Sequence, residues 1–425
     1  MRRCCTFGGN VEVLCTGTAI IYGLAMAAAV LLTVLAVKKR MTDGKENAVL
    51  GAVWSDYKIA VVCIAWVVGI RIATMLIAHA AFGSGDVIES MPAMWSRSTD
   101  AHHYMDIAAK GYVPYGESSL YIVFFPLYPL LLGGMGALTG EYFYTGSLMS
   151  MAFLTIACFF FFKTVRREYG EKPAARALKY LMLFPSVFFA MMPMSEGLFL
   201  ALAAMFFYWL RKGKRWAPAL VGMLAALTRS VGVLLAVPFL MEQAVRCYDN
   251  RKNGGFWKPF IKSASPVLII PLGTLIYLGI NYVVQGDPFY FMGVQKSHWN
   301  QEFGTFGSTV KYVMEYLVGS DATAAGILWM PHMVSFTFGI GMIIAAAVRR
   351  RQSPAFLVYT VTMFYFSMSV TWLLSAMRYS LALLPCFMEL GDMCKKRYQD
   401  AAVTVLLGAS LICYTLAFAS GGPVY

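Results

Sequence analysis

A tight run of ionisable and hydrogen-bonding side chains, Asp100-Ala101-His102-His103-Tyr104-Met105-Asp106, follows closely on one of the most apolar stretches of the chain. Wound at 100° per residue, Asp100, His103, Asp106 and Lys110 fall on one side of a helix, and Ala101, Tyr104, Met105 and Ala108 on the other. Such a helix suits an interface, with Thr99 or Ser98 capping its start and Gly111 ending it. Asp100, in the first turn, places a carboxylate where it can take a proton from an incoming hydroxyl. Arg378, in the turn Ser375-Ala376-Met377-Arg378-Tyr379, offers a cation to hold a departing anion. Each has a plainer reading. Asp100 can be a simple helix cap favoured by the helix dipole, and Arg378 an interfacial anchor that snorkels to headgroups.

Other polar residues extend this set. His102 and His103 point about 100° apart on a helix, so one of them, not both, is expected to contact a substrate; a solvated helix face is the alternative. Glu117 and Glu196 are acids that can accept from sugar hydroxyls or be solvated in loops. Arg229 lies inside an apolar segment, where a charge is a functional candidate by default, with Glu196 or a lipid phosphate as its expected partner. Gln295-Lys296-Ser297-His298-Trp299-Asn300 mixes polar and aromatic groups suited to sugar stacking, against interfacial anchoring by Trp299. No His, Cys and carboxylate grouping has convincing metal-ligand spacing, so neither cofactor nor metal is expected; His102, His103 and Asp106 are the alternative seat for a divalent ion.

The elements that must hold these residues are set by composition. The 425 residues are 59% apolar and 13% charged, a balance that requires lipid as solvent. Apolar runs near the roughly 20 residues needed to cross hydrocarbon recur at Leu14 to Val37, Ile59 to Phe82, Phe143 to Phe162 and Ala264 to Val284. The first is read as a retained span because it is too long for a signal peptide and is followed by Lys38-Lys39-Arg40. The net charge of +13 comes from short clusters between apolar runs, which is the positive-inside pattern and not a nucleic-acid surface. Those at 38–40, 163–179, 211–215, 246–262, 349–351 and 395–397 are expected on the cytoplasmic side. The acidic loops Gly83 to Leu120 and Gln285 to Ala325 then face outward. The scattered cysteines, Cys4 and Cys5 among them, read as small apolar fillers.

Two segments break the alternation of sides. Trp216 to Met241 is one apolar stretch between two basic clusters, so half-spanning helices broken near Arg229-Ser230 are expected. Tyr121 to Leu138, with Pro126, Pro129 and three glycines, reads as re-entrant or distorted. The expected fold is an all-α polytopic bundle of about 10–13 transmembrane helices with interfacial helices in the first outer loop. It is taken as one domain over 1–425, with an extra N-terminal span and linker at 1–58.

The loop resembles the PIG-V-like mannosyltransferases, the GPI mannosyltransferase 2 family and its bacterial relatives, of the GT-C class. The matching residues are Asp100, Tyr104, Ile107-Ala108, Gly111-Tyr112 and Phe124-Phe125-Pro126-Leu127-Tyr128-Pro129. Downstream, Leu183-Phe184-Pro185-Ser186, Ser195-Glu196-Gly197-Leu198-Phe199, Leu227-Thr228-Arg229-Ser230 with Gly232, and Arg378-Tyr379 before Pro385 follow in the same order. The family's Trp before the Asp is Thr99 here, with Trp95 nearby, and its Ser-Glu-Ser is Ser195-Glu196-Gly197. The resemblance implies a GT-C-like bundle and an inverting sugar transfer on the extracytoplasmic face. It implies a polyprenyl or dolichyl phosphate-sugar donor, a glycan or glycolipid acceptor, Asp100 as base and Tyr104 within the site. A bacterial plasma membrane is the expected location, with the endoplasmic reticulum membrane as alternative. The competing functions are a lipid-linked sugar flippase or transporter, and a non-catalytic subunit of cell-envelope assembly.

Overall fold

Backbone polar groups cannot stay unpaired in hydrocarbon, so a chain this apolar must satisfy them within helices. The computed structural model describes residues 9–43, 54–83, 85–96, 99–253, 255–422 and 424. Cys4, Cys5, Ser98 and residues 44–53 of the linker lie outside these. Among the described residues the only β pairing is an isolated antiparallel bridge between Phe303 and Val370.

The chain begins with α1 (Gly9–Asp43) and α2 (Asp56–Phe82). The first outer loop folds into α3 (Val87–Ser96), α4 (Ala101–Lys110) and a 3-10 turn (Glu117–Val123). Then come α5 (Leu127–Thr139), α6 (Phe143–Tyr169), α7 (Glu171–Met182), a 3-10 turn (Val187–Met191) and α8 (Glu196–Arg211). After α9 (Trp216–Thr228), a 3-10 stretch (Ser230–Leu235) leads into α10 (Ala236–Asp249), α11 (Trp257–Ala264) and α12 (Leu272–Gln285). The second outer loop is itself helical, with α13 (Tyr290–Ser297) and α14 (Phe306–Gly319). A short α15 (Ala322–Ala324) runs through a π turn into α16 (Met330–Arg349). The chain closes with α17 (Pro354–Met368), α18 (Ala376–Ser380), α19 (Leu384–Met393) and α20 (Arg397–Ala419).

Seven of the described helical stretches are long and apolar enough to cross a membrane, and α5, α9 and α17 are shorter apolar helices. The chain is an integral, multi-pass membrane protein. The expected span from Ala264 to Val284 is part of a longer one, Trp257–Gln285, that bends through a 3-10 turn beside Pro266 and Pro271 because proline cannot complete the helical ladder. The segment from Trp216 is broken at Arg229, whose backbone is extended at φ −150° and ψ 148°. At 13 residues, α5 rises about 20 Å, short of a hydrocarbon core of roughly 30 Å. It backs α4 closely: a Cβ on Gly133 would stand 2.8 Å from the Ala108 carbonyl oxygen.

Buried along nearly its whole length, α8 forms the axis of the packing. Its 16 residues rise about 24 Å. At its C-terminal end Arg211 bonds Glu168 at 2.8 Å, Glu242 at 2.9 Å and Ser353 Oγ at 2.9 Å. Nearby on the same end, Arg349 pairs with Glu389 and Asp392, and Arg351 with Asp392 at 2.8 Å. These arginines belong to the clusters expected on the cytoplasmic side. Glu196 stands at the opposite end of the same helix. Because Glu168 is buried and pairs with Arg211, whereas Glu242 also holds Arg246 at 2.8 Å, Arg211→Met strands one carboxylate and should destabilise the fold by about 3–5 kcal/mol. The exposed Arg251→Ala should change little, which thermal unfolding of detergent-solubilised protein will compare.

Candidate active site

Thr99 Oγ1 accepts from the Ala101 amide at 3.3 Å and so serves the start of α4. Asp100 occupies the N-cap position but makes no side-chain cap bond. Its Oδ2 accepts instead from Arg378 Nη2 at 3.0 Å, across 278 positions of sequence. The same Nη2 donates to Ser375 Oγ at 3.1 Å. The cap reading of Asp100 therefore fails on geometry. The snorkelling reading of Arg378 fails too, because its side chain is only 8% exposed.

From Arg378 the contacts continue inward. Its Nε lies 3.4 Å from Glu196 Oε1, which also pairs with Arg229 Nη1 at 2.8 Å. Arg229 Nη1 donates to Ser195 Oγ at 3.2 Å, and Ser195 Oγ stands 2.8 Å from the Tyr104 hydroxyl. Two arginines and two carboxylates thus form one charge-balanced chain, and a shared carboxylate keeps the two cations from repelling each other apart. Burial alone would lower the Arg378 pKa, but Asp100 and Glu196 outweigh it and raise the pKa, so the guanidinium stays charged.

Local backbone explains these positions. Glu196 opens α8, where the positive end of the helix dipole favours its carboxylate. A Cβ on the next residue, Gly197, would stand 2.6 Å from the Ala190 carbonyl oxygen and 2.9 Å from that of Ser150, which accounts for glycine at that motif position. Glu196, Arg229 and Arg378 face a cavity of about 140 Å³ whose other walls include Phe199, Met363, Phe366 and Val370. Glu196 Oε2 is buried without a hydrogen-bond partner. The cavity is amphiphilic, lined both by charged residues and by apolar side chains.

The remaining candidates divide. His103 packs among Tyr121, Phe124 and Trp299, and the exposed His102 lies against it, ring centroids 3.8 Å apart and planes tilted by 50°. His298 is exposed beside Trp299. Glu117 is exposed at the start of its 3-10 turn, with no contact to the network. Against the effect of burial, hydrogen bonds from Lys110 and Ser118 hold the Asp106 carboxyl below its usual range. Those bonds occupy the carboxylate proposed for an ion with His102 and His103, and among the described residues no group of three His, Cys, Asp or Glu stands ready to hold a metal. Ser195 as the joint between Tyr104 and Arg229, Ser375 as the brace of Arg378, and Tyr121 beside His103 are roles that the sequence does not announce. Only Ser195 carries a signal, its place beside Glu196.

No protein-family profile matches the chain, and no curated protein matches it in sequence. Among solved structures, ArnT from Cupriavidus metallidurans bound to undecaprenyl phosphate is similar with a TM-score of 0.48 at 15% identity, over 85% of this chain and 76% of that one. The Archaeoglobus fulgidus oligosaccharyltransferase in the apo form gives 0.43 at 12% identity, over 85% and 56%. The archaeal oligosaccharyltransferase AglB from Archaeoglobus fulgidus, in complex with an inhibitory peptide and a dolichol-phosphate, gives 0.42 at 12% identity, again over 85% and 56%. This chain spans little more than half the length of those oligosaccharyltransferases.

Burial, reinforced by the like charge of His102, pushes the His103 imidazole down to about 4. The unfolded chain therefore binds a proton that the folded one refuses between about pH 6.5 and about 4. This contribution to stability is complete above that window and is lost as pH falls through it. Histidine-labelled NMR, assigned with a His103→Gln variant, should show no titration of His103 between pH 5.5 and 8.

Proposed function

We propose that the protein is an inverting glycosyltransferase of the GT-C type. It moves a sugar from a polyprenyl or dolichyl phosphate-linked donor to a glycan or glycolipid hydroxyl on the extracytoplasmic face. The motif resemblance points to mannose as the sugar. The acceptor oxygen attacks the anomeric carbon, its proton passes to Asp100, and the bond from that carbon to the phosphate oxygen breaks. Arg229 and Arg378 hold the released lipid phosphate, each presenting five donors in a planar fork, more than Glu196 and Asp100 use. The unpartnered Glu196 Oε2 accepts from a donor-sugar hydroxyl, and the Phe199, Met363 and Phe366 wall takes the first prenyl units. Arg378 carries this reading. One buried cation touches the candidate base through Nη2 and faces the cavity beside Glu196, so proton acceptance and leaving-group capture occur at neighbouring points.

Asp100→Asn in reconstituted protein should lower transfer from a synthetic polyprenyl-phosphate-mannose by about 10²–10⁴-fold while leaving undecaprenyl phosphate binding in place. Unchanged transfer removes the base. Arg229→Ala should weaken undecaprenyl phosphate binding by about tenfold to a hundredfold, as for loss of a charge-assisted bond. Orientation is tested separately, because the basic clusters gather at the far end of α8 from Glu196. A cysteine replacing His298 should react with a membrane-impermeant maleimide on intact cells, and one replacing Lys395 only after lysis. The reverse pattern would place the site in the cytosol.

A further inference from the structure

The network from Asp100 to Arg229 accounts for the donor and the proton, and leaves the acceptor without a seat. One turn along α4 from Asp100, His103 stands in a nest of rings from two loops far apart in sequence. Its ring centroid is 4.2 Å from Tyr121, 5.1 Å from Phe124 and 5.7 Å from Trp299, the last at an interplanar angle of 84°. Phe124 also meets Trp299 edge-on at 6.0 Å. Within this apolar nest, His103 Nδ1 and Trp299 Nε1 are buried and have no hydrogen-bond partner. Buried polar groups are almost always satisfied, so two unpartnered nitrogens in one nest mark a place for a hydrogen-bonding guest.

The chemistry of the two atoms selects that group. An indole N–H can only donate. A neutral imidazole beside it offers an accepting nitrogen. A carboxylate or phosphate cannot donate to that nitrogen and an ammonium cannot accept from the indole, whereas a hydroxyl does both. Aromatic rings around it favour a ligand with flat C–H faces. A pyranose combines the two features. We infer that this nest is the acceptor-sugar subsite, where one ring hydroxyl accepts from Trp299 Nε1 and donates to His103 Nδ1 while a neighbouring hydroxyl is turned toward Asp100.

Entry requires the indole to swing, because both atoms are covered. Trp299 is placed for this at a turn, next to Asn300, whose φ of 52° is in the left-handed region, and Thr371 Oγ1 donates to the Asn300 carbonyl at 3.1 Å.

The inference rests on the glycosyltransferase reading, and the test separates the two. Saturation-transfer NMR on the full chain in nanodiscs uses methyl α-D-mannopyranoside and methyl β-D-glucopyranoside, with N-acetylserine amide as a non-sugar hydroxyl. Undecaprenyl phosphate binding is measured on the same samples. At least one glycoside should receive saturation in the wild type. That signal should drop about fivefold in Trp299→Phe, which removes the indole N–H, and in His103→Phe, which removes both imidazole nitrogens, each variant keeping an aromatic ring. It should persist in Arg229→Ala, and both nest variants should still bind undecaprenyl phosphate, which shows them folded. The proposal is overturned if the wild type saturates neither glycoside, or if both nest variants bind as the wild type does. It is equally overturned if the serine amide saturates as strongly as the sugars, which would assign the nest to a protein hydroxyl. Glycoside binding without undecaprenyl phosphate binding in the wild type would leave the subsite standing and sink the donor reading.

Discussion

Everything at the site depends on one shared carboxylate. Two guanidinium groups buried beside each other repel, and in a medium poor in water that repulsion is weakly screened. Glu196 Oε1 lies 2.8 Å from Arg229 and 3.4 Å from Arg378, and Asp100 draws the second arginine from the other side. Remove the acids and the cations part. With them, a cationic pocket exists inside the apolar bundle without an excess of buried charge. The arginines keep donors that the two acids do not use, which suits the anionic ligand proposed for the cavity.

Much of this was legible in residue order. The helical period around Asp100 marks an amphipathic helix; burial of Ala101 and Tyr104 follows the apolar face, Met105 and Ala108 are half-buried, and Ile107 is buried although it lies on the polar side of that wheel. The break at Arg229 is readable because a charge between apolar residues, placed between two basic clusters, cannot sit on a simple span. What the sequence could not supply is pairing. Asp100 and Arg378 are 278 positions apart, and no local rule distinguishes an aspartate that caps a helix from one that reaches past its own helix to an arginine. Helicity in the outer loop from Gln285 was hidden for a different reason. Its polar residues read as loop, and Thr305 caps α14 through a reciprocal bond with Ser308 rather than the usual glutamate. Gly197 looked like a departure from a motif, yet the crowding by Ala190 and Ser150 carbonyls makes it a packing requirement.

The two ends of α8 handle charge by the same means for different ends. At one, Arg211 is saturated by Glu168, Glu242 and Ser353, so nothing is left for a ligand. At the other, Glu196 keeps one oxygen without a partner beside a cavity. Complete satisfaction ties helices together, whereas the unpartnered Glu196 oxygen, because it belongs to a residue that lines a cavity, is the group assigned to a sugar hydroxyl in the proposed function.

The close approach of Gly133 to Ala108 bears on which parts of the site can move. With no side chain between them, α4 is seated on α5 and cannot tilt without losing that contact. The helix that follows Asp100 is therefore braced on that side, whereas Trp299 rides on a turn. On the function proposed above, a lipid carrier would meet a cradle already assembled, while the acceptor sugar would first have to shift a loop, so commitment to turnover would rest with the second guest and not with the first.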